Sequence, residues 1–206
     1  MTNITIIGLT GPSGAGKGLF SELLIPYNIP AIDTDRVYHD LLIPPSSCLD
    51  ALVERFGQKI LAADGGLDRK ALAAWVFAED HGQELLDLNA ISHKFVLNAT
   101  RDICAELSKK GCPAVLVDAP LLFESGFDAE CDQTLAVLAD PDVRLCRIMA
   151  RDGLTLAAAK ARMNAQKSDG FYVERADHVI HNNGEPCDLT EEIKALALSW
   201  GGAAHE

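Results

Sequence analysis

A glycine-rich turn near the amino terminus constrains the fold of this chain more than any other feature. Residues 3–9 form a short apolar, β-branched run that predicts a buried β-strand. Gly11, Gly14 and Gly16 follow within six residues, and such glycines allow unusual backbone dihedrals and bring N–H groups close to a ligand. From Leu19 the apolar spacing becomes helical. A strand, a glycine-rich turn and a helix in this order predict a phosphate-binding loop.

The loop matches the pattern G-x-x-x-x-G-K-[ST] from Gly11 to Lys17, but its last position is Gly18. We expect Lys17 to reach the β and γ phosphates of a nucleotide, while backbone N–H groups and the helix dipole hold the phosphates. The hydroxyl that Gly18 lacks would normally ligate Mg²⁺ directly. The alternative interpretation is a flexible turn. The residues predicted to bind the nucleotide are Gly14, Ala15, Gly16, Lys17, Gly18 and Leu19.

The length and composition exclude several classes of protein. A chain of 206 residues suits one α/β domain with a helical insertion. It has no apolar run long enough to span a membrane, and its amino terminus does not resemble a secretion signal. Its six cysteines are scattered without C-x-x-C spacing, which is typical of reduced, mostly buried thiols. We therefore expect a cytoplasmic protein that does not bind membranes.

The distribution of charge argues against a nucleic-acid partner. The formal net charge is −12, whereas binding to nucleic acid requires a basic surface. The segment 144–167 is the exception, because it carries six basic residues against Asp152 alone. Such a segment is either a solvated helical face or a mobile element that clamps polyphosphate, and the phosphate loop favours the second interpretation.

Helical patterns and short apolar runs alternate along the rest of the chain. Residues 35–111 are mainly helical and separate the second predicted strand from the third. Asp118 ends the third predicted strand, so we expect it to lie beside the phosphate loop, where it would bind Mg²⁺ directly or through water. Alternatively, Asp118 caps a helix. The later predicted strands are Ile29–Ile32, Ala114–Asp118, Gln133–Leu138 and Ala176–Ile180.

Six motifs in a fixed order resemble the dephospho-coenzyme A kinase family. The resemblance extends over nearly the whole chain, from residue 7 to residue 184, and is more specific than the phosphate loop alone. The motifs are Gly8-Leu9-Thr10-Gly11, Asp33-Thr34-Asp35, Leu67-Asp68-Arg69, Val117-Asp118-Ala119-Pro120-Leu121-Leu122-Phe123-Glu124-Ser125-Gly126, Arg147-Ile148-Met149-Ala150-Arg151-Asp152-Gly153 and Ala176-Asp177-His178-Val179-Ile180-His181-Asn182-Asn183-Gly184.

This resemblance implies an α/β P-loop kinase fold with a five-stranded parallel sheet flanked by helices. The core would comprise residues 1–34 and 112–206, with a helical acceptor-binding insertion at about 35–111 and a lid at about 144–170. It also implies the reaction, in which the γ-phosphoryl group of ATP moves to the ribose 3′-hydroxyl of dephospho-coenzyme A, with Mg²⁺ as cofactor.

The resemblance also implies roles for particular residues. Asp33 matches the proposed general base, Arg69 matches an arginine that contacts the acceptor, and Arg147 matches a lid arginine that contacts the transferred phosphates. Arg151 is a further candidate, since guanidinium groups bind phosphate oxygens bidentately. Alternatively, Asp33 is the N-cap of the next helix. His93 stands where the family usually has a His-Pro pair, and it is either an acceptor-site residue or an ordinary helix histidine.

The sequence is also compatible with two other functions. The nearest alternative is another small-acceptor kinase, acting on a nucleoside or a nucleoside monophosphate. Because Gly18 replaces the usual hydroxyl residue, a catalytically weakened or non-catalytic nucleotide-binding relative is a second alternative. A GTP-dependent switch would need an N-K-x-D motif, which residues 182–185 do not supply. We expect a monomer or a weak homo-oligomer.

Overall fold

The computed structural model describes residues 4–77 and 82–203, without the side chains of residues 186 and 187. It contains the strands β1 (Thr5–Thr10), β2 (Ala31–Asp33), β3 (Ala114–Asp118), β4 (Gln133–Leu138) and β5 (His178–His181). These form one parallel sheet in the order β2-β3-β1-β4-β5. β1 lies at the centre, paired with β3 and β4. The predicted five-stranded parallel sheet is thereby confirmed.

β2 and β5 each begin two residues later than the sequence predicts. Pro30 precedes β2 and cannot donate a ladder hydrogen bond, although its carbonyl oxygen accepts one from the Leu116 N–H. Before β5, the Asp177 carboxylate accepts hydrogen bonds from both the N–H and the hydroxyl of Thr134, each at 2.8 Å. These hydrogen bonds lower the pKa of Asp177. Apolar patterning alone does not reveal either constraint.

The helices follow the predicted pattern, with several ends set by side-chain caps. Ser46 and Thr155 each accept a hydrogen bond from a backbone N–H three residues ahead, as N-caps do. α8 is a short helix that the sequence analysis did not predict. The helices are α1 (Lys17–Leu24), α2 (Thr34–Asp40), α3 (Ser47–Phe56), α4 (Arg69–Val76), α5 (Gly82–Lys109), α6 (Pro141–Asp152), α7 (Leu156–Asn164), α8 (Asp169–Val173) and α9 (Thr190–Ser199).

The chain divides into two compact units. The first comprises residues 1–32 and 104–206, and the second comprises residues 33–103. Side chains from β1, β3, β4, α1 and α9 form the core of the first unit, where Ile7, Leu116 and Leu135 are fully buried. In the second unit, Leu52 of α3 and Leu72 of α4 lie in a separate apolar cluster.

The helices and the cysteines bear on the expectations about membrane spans and reduced thiols. Within residues 4–77 and 82–203, no helix is both long enough and apolar enough to cross a membrane. The cysteines with described side chains are all free thiols. Cys48 and Cys104 are buried, whereas Cys146 is exposed, and the side chain of Cys187 lies outside the described part of the chain.

Candidate active site

The turn between β1 and α1 has the backbone of a phosphate-binding loop. Gly11, Gly14 and Gly16 adopt φ values of 138°, 82° and 95°, which side-chain-bearing residues rarely adopt. Gly16 is the N-cap of α1, and Lys17 is the first helical residue. The ammonium group of Lys17 donates a hydrogen bond to the Gly11 carbonyl oxygen at 3.0 Å, so the lysine reaches back across the loop.

The elements around the loop leave no room for side chains at its glycines. A Cβ at Gly14 would lie 2.7 Å from the carbonyl oxygen of Arg144 in α6, and a Cβ at Gly11 or Gly16 would have a still closer neighbour. Gly18 differs, because a Cβ there would meet no atom within 4 Å. The missing hydroxyl at position 18 is therefore not a steric requirement of the fold.

One face of α6 contacts this loop through three arginines spaced three and four residues apart. The Arg144 Nε donates to the Ser13 carbonyl oxygen at 3.1 Å. Arg147 donates at 3.4 Å to the Ala15 carbonyl oxygen and at 2.8 Å to that of Asn182. Arg151 donates at 3.4 Å to the Ser13 hydroxyl. The structure thus brings both predicted phosphate-binding arginines, Arg147 and Arg151, beside the loop.

Arg151 forms an ion pair with the neighbouring Asp152. Arg151 donates two hydrogen bonds to the Asp152 carboxylate, at 2.8 and 3.0 Å, and Arg162 of α7 pairs with the same carboxylate. The hydrogen bond from Arg151 is the main reason that the pKa of Asp152 is lowered, and it raises the pKa of Arg151. Asp152 therefore joins α6 to α7.

The residue set beside the loop fits Mg²⁺ rather than a metal held by protein ligands alone. Asp118 ends β3 opposite Leu9 of β1, two residues before Gly11, and one of its carboxylate oxygens is buried. Among the described residues, no three His, Cys, Asp or Glu side chains cluster closely enough to hold a metal. Mg²⁺ typically binds one or two carboxylates together with substrate phosphates and water, which this arrangement can provide.

In the second unit, Asp33 is the N-cap of α2. Its Oδ1 accepts hydrogen bonds from the backbone N–H groups of Asp35 at 2.9 Å and Arg36 at 3.1 Å. The capping role that the sequence analysis left as an alternative is therefore present. Oδ2 takes no part in the cap, and the residue is exposed, so capping leaves a carboxylate oxygen for a second role.

Arg69 is held at the start of α4. Asp68 caps this helix, accepting hydrogen bonds from the N–H groups of Lys70 and Ala71 at 3.0 Å. The guanidinium group of Arg69 lies beside the imidazole ring of His39, with Nη1 3.2 Å from Nε2. In the same unit, partial burial lowers the pKa of His93, which favours its neutral ring.

Three polar residues that contact the phosphate loop or Arg69 are not among the sequence-predicted site residues. His39 contacts Arg69 from 30 positions away. Asn182, which is 2% exposed, donates a hydrogen bond from Nδ2 to the Ala15 carbonyl oxygen at 2.9 Å. Gln166 accepts one from the Ser13 N–H at 3.1 Å. Asn182 lies within one of the six motifs, and that position could have marked it as a candidate site residue. Gln166 and His39 lie outside the six motifs, and no sequence pattern indicates them.

Comparisons with known proteins agree with this geometry. A family model described as dephospho-CoA kinase matches residues 5–188. The chain is 40% identical over 197 residues to a dephospho-CoA kinase of Anaeromyxobacter dehalogenans, covering 96% of this chain and 92% of the relative. It is 39% identical over 196 residues to a dephospho-CoA kinase of Moorella thermoacetica, covering 95% of this chain and 90% of the relative.

Solved structures extend the comparison to the fold. TT1252 from Thermus thermophilus is similar with a TM-score of 0.78 and 33% identity, covering 96% of this chain and 98% of that one. Dephospho-CoA kinase from Campylobacter jejuni is similar with a TM-score of 0.67 and 26% identity, covering 94% of this chain and 96% of that one. Shikimate kinase from Acinetobacter baumannii gives 0.54 and 19%, with coverages of 96% and 95%, so that similarity concerns the fold alone.

Proposed function

The chain belongs to the dephospho-CoA kinase family, and on that premise we propose how its residues transfer the γ-phosphoryl group of ATP to the ribose 3′-hydroxyl of dephospho-CoA. The observation that carries the proposal is the family match over residues 5–188, which includes an intact glycine loop with Lys17 at the start of α1. The products are CoA and ADP.

The phosphate loop binds and orients the triphosphate. Phosphoryl transfer needs little covalent chemistry from the protein, and its rate depends mainly on positioning and on charge stabilisation. The N–H groups of residues 14–19 and the amino end of α1 bind the phosphates, and Lys17 stabilises the charge on the transferred group. Arg147 and Arg151, which already contact loop oxygens, exchange those contacts for phosphate oxygens.

The acceptor residues belong to the second unit. Asp33 orients the 3′-hydroxyl and accepts its proton through Oδ2, while Oδ1 keeps the cap of α2. Arg69 binds the acceptor, and the contact with His39 holds the Arg69 side chain in place. His93 stays a weaker candidate, since burial favours its neutral form.

Asp118 would hold Mg²⁺, directly or through water, together with phosphate oxygens. When bound, this ion would neutralise phosphate charge during the transfer. Because Gly18 supplies no hydroxyl ligand, we propose that the enzyme is active but binds Mg²⁺ more weakly than one with serine at this position.

Replacing Gly18 with serine is expected to lower the Mg²⁺ concentration for half-maximal rate by about three- to tenfold, since the hydroxyl adds one oxygen ligand. The new Cβ has open space around it. Gly18→Ala is the matched control, because it adds the same Cβ and, like serine, favours the helix more than glycine does, but it lacks the hydroxyl. Equal Mg²⁺ requirements in the serine and alanine variants would contradict the proposal.

The reaction itself is tested by incubating the purified protein with ATP, Mg²⁺ and dephospho-CoA. We expect a product heavier than dephospho-CoA by one phosphoryl group, with the phosphate on the 3′-hydroxyl. Nucleosides and nucleoside monophosphates are offered as competing acceptors. Phosphorylation of one of these instead of dephospho-CoA would indicate a different small-acceptor kinase, and ATP binding without transfer would indicate a non-catalytic relative.

We further propose that the protein acts in the cytoplasm on this small molecule, without a nucleic-acid or membrane partner. The formal charge of −12 supports the first exclusion, because polyanions would be repelled by most of the surface. A monomer or a weak homo-oligomer would suffice, since the proposed roles all belong to residues of one chain.

A further inference from the structure

Arg144 is a buried cation attached to the first turns of α6. It is 5% exposed, which is rare for an arginine unless its charge is matched and its donors are satisfied. Its Nη1 lies 3.4 Å from the Asp169 carboxylate, and its Nη2 donates to the Gln166 side-chain oxygen at 3.1 Å. Its Nε donates to the Ser13 carbonyl oxygen. One donor of this buried guanidinium group is thus bound to the phosphate loop.

Gln166 completes the arrangement from the connection between α7 and α8. Its backbone N–H donates to the Met163 carbonyl oxygen, which keeps the residue close to the end of α7. Its Oε1 accepts two hydrogen bonds, one from the Ser13 N–H and one from Arg144, both at 3.1 Å. Both backbone polar groups of Ser13 are therefore bound by side chains, the N–H by Gln166 and the carbonyl by Arg144.

We propose that Gln166 is a positioning residue for ATP. Together with Arg144, Gln166 holds Ser13 and so keeps the phosphate loop in its binding conformation. The inference rests on the proposed function, because it assumes that the loop binds a nucleoside triphosphate. A loop that is already ordered loses less conformational entropy on binding, and its N–H groups need no rearrangement to receive phosphates. Without the Gln166 oxygen, the Ser13 N–H and one Arg144 donor both lose their acceptor.

The test measures binding of the β,γ-imido analogue of ATP by calorimetry, without any acceptor present. Gln166→Met keeps the length of the side chain but removes the oxygen, and we expect it to raise the Kd about tenfold, as the loss of these hydrogen bonds implies. Gln166→Glu keeps an oxygen in the same place, so we expect its Kd to stay within about threefold of the original. Gln58→Met, at an exposed glutamine outside this network, is the matched control and should leave the Kd unchanged.

The outcomes separate positioning from simple stabilisation. If Gln166→Met lowers the Tm but leaves the Kd unchanged, Gln166 is only a structural residue and the inference is wrong. If Gln166→Glu weakens binding as much as Gln166→Met, the shared oxygen is not the cause and the inference is also wrong. Should the methionine variant fail to fold, Gln166→Asn decides in the same assay, because its shorter side chain cannot reach both donors. An original protein that binds no analogue would instead refute the proposed function.

Discussion

Replacing Lys17 with methionine is expected to lower kcat for dephospho-CoA phosphorylation by about a thousandfold, since a single charge-stabilising donor at a transferred group contributes on this scale. The variant keeps an unbranched side chain only one atom shorter, but it cannot donate a hydrogen bond or carry charge. The ammonium group donates a hydrogen bond to the Gly11 carbonyl oxygen at 3.0 Å. That contact shows that the side chain already curls over the loop in which the phosphates would lie.

The loss should be catalytic rather than structural. Lys17 is only partly buried, and a single interaction of that kind changes stability by about 1 kcal/mol or less. Steady-state kinetics and thermal unfolding on the same preparation test this. Lys110→Met provides the control, since this exposed lysine lies outside the phosphate loop. A Lys17→Met protein with more than about a tenth of the original kcat would show that the role assigned to Lys17 is wrong.

Replacing Asp33 with asparagine is expected to lower kcat by about a hundredfold to ten-thousandfold, the usual contribution of a general base. Asparagine can still accept hydrogen bonds from the Asp35 and Arg36 N–H groups, and it is as good an N-cap as aspartate. The Tm should therefore hardly change. Asp33→Ala removes cap and base together, so it should lose similar activity and also about 1 kcal/mol of stability.

A second capping aspartate makes this experiment selective. Asp68 caps α4 with the same two-bond pattern as Asp33 but has no proposed role in proton transfer. Asp68→Asn should therefore keep nearly full kcat. If Asp33→Asn retained full activity while Asp33→Ala lost both stability and activity, capping would be the whole function of Asp33. The base assignment would then be rejected.

The structural features that the sequence predicts well are those formed by neighbouring residues. The loop from Gly11 to Lys17 is contiguous, and its glycines and lysine have backbone or side-chain requirements that can be recognised from their order. The cap at Thr155 is equally local, because it involves atoms three residues apart. The buried strand that ends at Asp118 was also predicted with its observed bounds.

The sequence predicts element bounds less accurately where a residue distant in the chain forms hydrogen bonds at the end of an element. β5 begins late because Asp177 binds Thr134, 43 positions away, and this pairing has no signature in hydrophobic periodicity. Asp33 shows a different difficulty. Its position is compatible with both a cap and a catalytic base, and the structure reveals that the cap uses one oxygen without excluding the second role.

The sequence by itself determined that this chain has a phosphate-binding loop on a parallel sheet, because glycine dihedrals and strand patterning are local properties. Only the tertiary structure decided which side chains hold that loop. Ser13 meets Arg144 across 131 positions and Gln166 across 153. Such partners are selected by how α6 and the α7–α8 connection pack, and packing depends on the whole fold rather than on any segment of it.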